Sequence, residues 1–178
     1  MIDNIKKNLI YFFGFSFMGW LWEILFHLIK RHQIINPGTL IGPWLPIYGW
    51  VMLVMIMISK KINKKSVLFI ISFFTCGVIE YTTSLYLEYF YNKRWWNYSK
   101  YLLNINGRIC VEVLIVFSIL ILLGITYIVP LIDKIYYKLN KRVITIILVV
   151  LVVCHSIDLI YSTFYRNTTN ITRIKRIT

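Results

Sequence analysis

Along the chain, long apolar runs alternate with short polar and mostly basic stretches, a spacing on the scale of a bilayer rather than of a strand or a helix face. A helix needs about 20 predominantly apolar residues to cross about 30 Å of hydrocarbon. The sequence has four clear runs of that kind and a shorter fifth. The pattern predicts helices over about Asn8 to Ile29, Pro43 or Pro46 to Ser59, Ser66 to Tyr91, Ile109 to Val129, and Val143 to Phe164. Proline suits a first helical turn and so marks the start of the second helix, whereas Pro130 is expected to stop the fourth. The basic start at Lys6 and Lys7 resembles a signal peptide. The apolar run behind it is too long, however, and no small-residue cleavage site follows, so it reads as an anchor. The expected fold is an all-α polytopic membrane bundle with an irregular Pro/Gly loop between its first two helices.

The connections differ in composition. Residues 33–49 read QIINPGTLIGPWLPIYG, with three prolines and three glycines, which excludes a regular helix. Such backbone is tolerated at membrane depth only where protein or a wet cavity satisfies it. Two readings stay open, a loop that enters the membrane and a plain interfacial turn. Residues 92–108 set Trp95, Trp96, Tyr98 and Tyr101 among Lys93, Arg94 and Lys100, the mixture of an interfacial segment. From Leu131 to Arg142, Leu131, Ile132, Ile135 and Leu139 alternate at helical spacing with Asp133, Lys134, Lys138 and Lys141, which predicts a short surface helix. The polar, basic tail after Tyr165 is expected to be disordered.

Composition agrees with a bilayer: 58% hydrophobic against 15% charged residues, and a mean hydropathy of +0.68. The net charge of +13 belongs at membrane surfaces and does not call for a nucleic-acid partner. Five spans divide the basic residues equally between the two sides. The densest cluster, Lys60, Lys61, Lys64 and Lys65, therefore decides, and places the N-terminus in the cytoplasm. Cys76, Cys110 and Cys154 lie far apart without a CxxC pair and read as packing residues. No cofactor or metal motif is present.

Of seven acidic residues, Glu23, Glu80, Glu88, Glu112 and Asp158 fall inside predicted spans. A charge at a helix centre costs about 2.5–3.5 kcal/mol, so such groups are expected to face the bundle interior and to bind something or carry protons. Glu88 and Asp158 lie near span ends, where a plain interfacial role is as good a reading. Gly19, Glu23 and His27 share one face of the first helix, and Glu80, Thr83, Ser84 and Glu88 form a polar stripe on the third, just after Gly77. Arg108 precedes Glu112 by one turn and points to a carboxylate or phosphate partner. Glu23, His27, Glu80, Thr83, Ser84, Glu88, Arg108 and Glu112 are thus the candidate polar chamber.

Taken together, GWLWE at 19–23, NPGTLIGPWLPIYG at 36–49, EYTTSLYLE at 80–88, RWWNYS at 94–99 and NINGRIC at 104–110 resemble the ABC-transporter permease family of CmpB type. The resemblance covers roughly Leu9 to Lys134. Residues 1–142 thus read as a four-helix family domain with a short interfacial helix, and 143–178 as a fifth helix and tail outside it. By position, the resemblance marks Gly19, Trp20 and Glu23, then Gly42, Pro43, Pro46, Tyr48 and Gly49, then Glu80, Thr83, Ser84 and Glu88. It also marks Trp95, Trp96, Tyr98 and Ser99, then Asn106, Gly107, Arg108 and Glu112. Asn97 departs from the aspartate of the family's WDYS pattern, and an amide cannot act as base.

The resemblance implies a polytopic protein of the bacterial cytoplasmic membrane acting as a transport subunit. Without a GxxxxGK[ST] phosphate loop, ATP would be handled by a separate ABC ATPase chain. Membrane lipids and a homo- or hetero-oligomer are the other expected partners. The alternative is a membrane-embedded enzyme acting on a lipid or lipid-linked substrate, with intramembrane carboxylates as acid–base groups and Arg108 on a phosphate.

Overall fold

In the computed structural model, residues 2–34, 36–166 and 175–176 are described. The helices are α1 (Ile2–Arg31), α2 (Pro46–Ser59), α3 (Lys65–Tyr91), α4 (Val111–Leu123), α5 (Val129–Lys138) and α6 (Lys141–Tyr161). The strands have two residues each: β1 (Gln33–Ile34), β2 (Asn104–Ile105), β3 (Ile109–Cys110) and β4 (Lys175–Arg176). Four helical stretches are long and apolar enough to cross a membrane, and Pro46–Ser59 is a shorter apolar helix. The all-α membrane bundle is thus what the chain forms. Most of the polar tail lies outside the described residues.

The chain divides into two compact units, Met1–Gly49 with Ile135–Thr178, and Trp50–Lys134. In the first, α1 and α6 run parallel. Their N-terminal ends are joined where Lys6 donates to Thr145 Oγ1 at 2.8 Å, and where Asp3 accepts from Tyr136 at 2.9 Å and from Lys141 at 3.2 Å. Further along, the rings of Phe12 and Phe13 meet His155 edge-on, and at the far end β1 pairs antiparallel with β4. These polar ties explain why α1 begins at Ile2 rather than Asn8. Asp3 and Lys6 have partners there, so the helix extends through residues that hydropathy alone would leave out.

α2 meets α1 through small residues, which let two helices approach closely where apolar surface alone gives little drive. Gly49 lies against Ser16 and the Phe12 carbonyl, and Gly19 lies against the Tyr48 ring. Ser16, on that contact, is fully buried. In the second unit, α3 packs on α4, with Gly77 facing Leu114 and Ile109, and with Ser72 and Ser118 fully buried.

Pro130 does not stop the fourth helix. Residues Gly124–Ile128 form a π-helical turn in which Val129 N–H reaches back to Gly124 O, and α5 follows directly. A wide turn shifts the hydrogen-bond ladder, so the missing proline N–H falls where regular i→i−4 bonding is already interrupted. The amphipathic stretch is therefore the end of the fourth helix, Val129–Lys138, and not a separate surface helix from Leu131 to Arg142. α6 then starts at an N-cap, Asn140, whose side chain accepts from Arg142 N–H at 2.8 Å.

The tight α1–α2 crossing gives a stability prediction. A Cβ at Gly49 would stand 2.6 Å from the Phe12 carbonyl oxygen, a backbone atom that cannot turn aside. Gly49→Ala should cost about 1–3 kcal/mol by overpacking, read as a lower melting temperature in detergent. Gly14→Ala, a glycine at no such crossing, serves as control.

Candidate functional site

The Pro/Gly connection does not stay at the end of α1. Leu45 N–H donates to Ser16 O at 2.9 Å, so the loop has come back along the helix by the length of Ser16 to Arg31, about 22 Å. The loop is cinched by Asn36, whose amide donates to the carbonyls of Leu40 at 3.3 Å and Ile41 at 2.8 Å and accepts from Trp20 Nε1 at 2.9 Å. Gly38 takes φ +78°, which a side chain would disfavour. The loop thus lies beside the apolar stretch of α1 rather than forming a plain turn at its end.

Irregular backbone at that depth needs partners, and α6 supplies them. Asp158 accepts from Ile41 N–H at 3.0 Å, from Gly42 N–H at 2.8 Å and from Trp44 Nε1 at 2.7 Å, while Ser162 donates to it at 2.8 Å. One carboxylate thereby holds the loop's tip against the middle of the unit. A carboxylate with several donors stabilises its charge as it satisfies them, which is why an acid is placed here at all.

Beside this loop, Tyr48 donates to Glu23 Oε1 at 2.6 Å. His27 Nδ1 lies 2.8 Å from the backbone carbonyl of Glu23 and 3.7 Å from its carboxylate. His27 is thus held mainly by a local side-chain-to-backbone bond, and Glu23 turns to Tyr48.

The second unit repeats the device with other residues. The connector after α3 folds back so that Tyr98 donates to Glu80 Oε1 at 2.8 Å, nearly three turns before α3 ends at Tyr91. Arg108 is 7% exposed, donates to Ser84 at 2.9 Å and pairs with Glu88, and its guanidinium lies over the Tyr81 ring. Arg94 joins the same carboxylate, with Nε at 3.0 and 3.1 Å from its two oxygens, and donates to Asn106 O at 3.1 Å. Trp96 Nε1 donates to Arg108 O at 2.8 Å, and Asn106 donates to Tyr81 at 2.9 Å.

The aromatic segment is therefore packed back along α3. Arg108 does not pair with Glu112. It precedes α4, and Glu112 is exposed in that helix's first turn, where a negative charge complements the helix dipole. Thr83 is half-buried, and Trp95 stacks edge-on against Tyr91 at 5.5 Å. Asn97 Oδ1 accepts from Ser99 N–H at 2.9 Å and Ser99 Oγ at 2.5 Å, beside Gly107 at φ +66°. That position asks for an acceptor oxygen, which an amide supplies as an aspartate would.

Cys76 and Cys110 are buried, and Cys154, expected as packing, is exposed. Burial pushes the Cys110 thiol above its usual range, so it is no activated nucleophile.

A sequence profile of one protein family matches residues 10–163, from the first span to the last, taking in the folded-back loops and Asp158. The chain belongs to the family described as "Putative ABC-transporter type IV", of CmpB type. The match passes the Leu9-to-Lys134 extent of the motifs and includes the fifth helix. No curated protein and no solved structure matches the chain. For this member of the CmpB-type family, the candidate chamber read from the sequence left out three residues that organise the geometry: Asp158, Trp44 and Arg94. Asp158 stood out as an acid in an Ile/Val-rich run with Ser162 one turn on, but nothing local ties it to Gly42.

Removing the loop's anchor tests its role. Asp158→Leu strands three N–H donors, at about 1–3 kcal/mol for each left unsatisfied. Asp158→Asn, which keeps an acceptor, should lose less. A thermal melt ranks the variants, and a cysteine at Thr39 should become more reactive to a soluble maleimide in the leucine variant.

Proposed function

We propose that this chain is the permease subunit of an ABC-type transporter, working with an ATPase on a separate chain in the bacterial cytoplasmic membrane. The observation that carries the reading is the interrupted crossing, an irregular loop held at the middle of a spanning helix and followed by the 14-residue α2. Broken helices that expose backbone groups at mid-depth are where transporters bind and pass solutes, because the freed N–H and C=O groups can serve a substrate instead of a ladder. The family supports the ABC assignment, and the sequence has no phosphate loop of its own.

Within the first unit, Glu23, His27 and Tyr48 next to the loop are the groups we assign to solute binding; Glu80, Ser84, Glu88, Arg108 and Tyr98 form a separate polar cluster within the second. Topology follows the same reading. At 14 residues α2 is about 21 Å long, short of the hydrocarbon thickness, but loop and helix together make a crossing. Parallel α1 and α6 support five crossings, and the lysine cluster Lys60–Lys65 is the reason we set it and the N-terminus on the cytoplasmic side.

The enzyme alternative would need Arg108 to release Glu88 and Ser84 for a phosphate headgroup. An unchanged lipidome in a deletion strain counts against it.

Purification of the tagged full chain in mild detergent should recover an ATPase subunit, and reconstituted vesicles should hydrolyse ATP only with both chains. Recovery of the chain alone from every mild extraction removes the reading. A reporter fused after Thr178 should report the outer side and one inserted at Asn63 the cytoplasm.

A further inference from the structure

A groove of about 390 Å³ runs between α1 and α6 within the first unit. That is inside the roughly 300–1,000 Å³ typical of ligand sites, yet its lining is apolar throughout, which excludes a polar solute. One wall is the stripe Ile10, Phe13 and Phe17 on α1, the other Ile144, Ile147 and Leu151 on α6, each advancing seven residues, or about 10 Å of helix. Gly14 leaves its side of the groove without a side chain, and the indole of Trp44, tethered by Asp158, closes the inner end.

The outer end differs in chemistry. Lys6 lies one turn before Ile10 on the same face, and Lys141 one turn before Ile144, so each apolar wall begins at an ammonium group. Lys7, Lys138 and Arg142 lie close by in the chain, with Asp3 as the acid bonded to Lys141. α6 also begins here, and its N-terminal dipole favours an anion. Cationic at the helix ends, apolar along about 10 Å and capped near mid-depth, the groove matches an amphiphile standing along the helices.

We propose that this groove is a binding site for one acyl chain of an anionic phospholipid, whose headgroup phosphate rests on Lys6 and Lys141. An ammonium carries three N–H donors: Lys6 spends one on Thr145, and Lys141, which bonds Asp3 and also engages Tyr136, keeps one for a phosphate oxygen. A second copy of the chain would fill an apolar groove equally well but would bring no further negative charge to a mouth where Asp3 pairs Lys141 and Lys6 bonds the neutral Thr145 hydroxyl. The site is distinct from the solute path, and its occupancy does not depend on transport.

The test uses the full chain in nanodiscs of matched anionic (phosphatidylglycerol) or zwitterionic (phosphatidylcholine) lipid, each doped with the same lipid carrying a photoactivatable diazirine at its chain end. Labelled residues are mapped by mass spectrometry. The anionic probe should label the Phe17 and Trp44 region above outward-facing Val149 and Val153, which are 57% and 50% exposed. Ile147→Trp, which fills the groove from a half-exposed wall, should abolish that excess. Lys6→Gln with Lys141→Gln should bring anionic labelling down to the zwitterionic level, and Lys6→Arg with Lys141→Arg, which keeps both charges and can keep the ties to Thr145 and Asp3, should retain the excess; the pair decides the matter if Ile147→Trp fails to fold. Equal labelling by both headgroups, even labelling around the helices, or, in a separate oxidation of Ile147→Cys in the same nanodiscs, a disulfide between two copies in place of lipid labelling each overturns the proposal. Absence of an ATPase partner would leave it standing.

Discussion

A peptide group that leaves a helix inside a bilayer has no water to turn to, and the first unit is organised around that constraint. Asp158 answers it with one carboxylate that receives the N–H groups of Ile41 and Gly42 and the indole of Trp44. Without that anchor the Pro/Gly loop would have to sit at the surface, where its backbone could be hydrated. Tyr48 would then not reach Glu23, and α2 would start at the wrong level for Gly49 to meet Ser16. The cost of an acid in a span is offset by the donors it gathers.

The two units solve a similar problem alike without sharing a sequence. In each, a long helix carries a glycine shortly before a glutamate, the following connector returns along the helix, and a tyrosine hydroxyl donates to that glutamate. The second unit adds a buried guanidinium, with Arg108 and Arg94 converging on Glu88. Two arginines around one carboxylate leave a positive surplus, so the connector of the second unit is electropositive where that of the first is centred on an acid.

The helices were largely legible because apolar length is a one-dimensional property. Runs from 66 to 91 and from 143 to 164 are read correctly to within a residue or a few. The connectors were legible as irregular but not as folded back, since the contacts that place them join residues far apart, such as Gly42 with Asp158 and Tyr98 with Glu80. No spacing rule reaches that far. Arg108 was marked by its chemistry as wanting a carboxylate or phosphate, but which carboxylate was not legible, because Glu88 lies 20 residues back in the chain. Pro130 misled for a local reason, because the rule that proline ends a helix presumes a regular ladder beneath it.

The π-helical turn at Gly124–Ile128 has an angular effect. One extra residue in the turn sets every later side chain back by about 100° around the axis relative to an unbroken α-helix. The lysines at 134 and 138 therefore point along a different azimuth from the one obtained by counting straight through from Val111. Deleting one residue within 124–128 would swing that entire basic edge by more than a quarter turn while leaving its composition untouched.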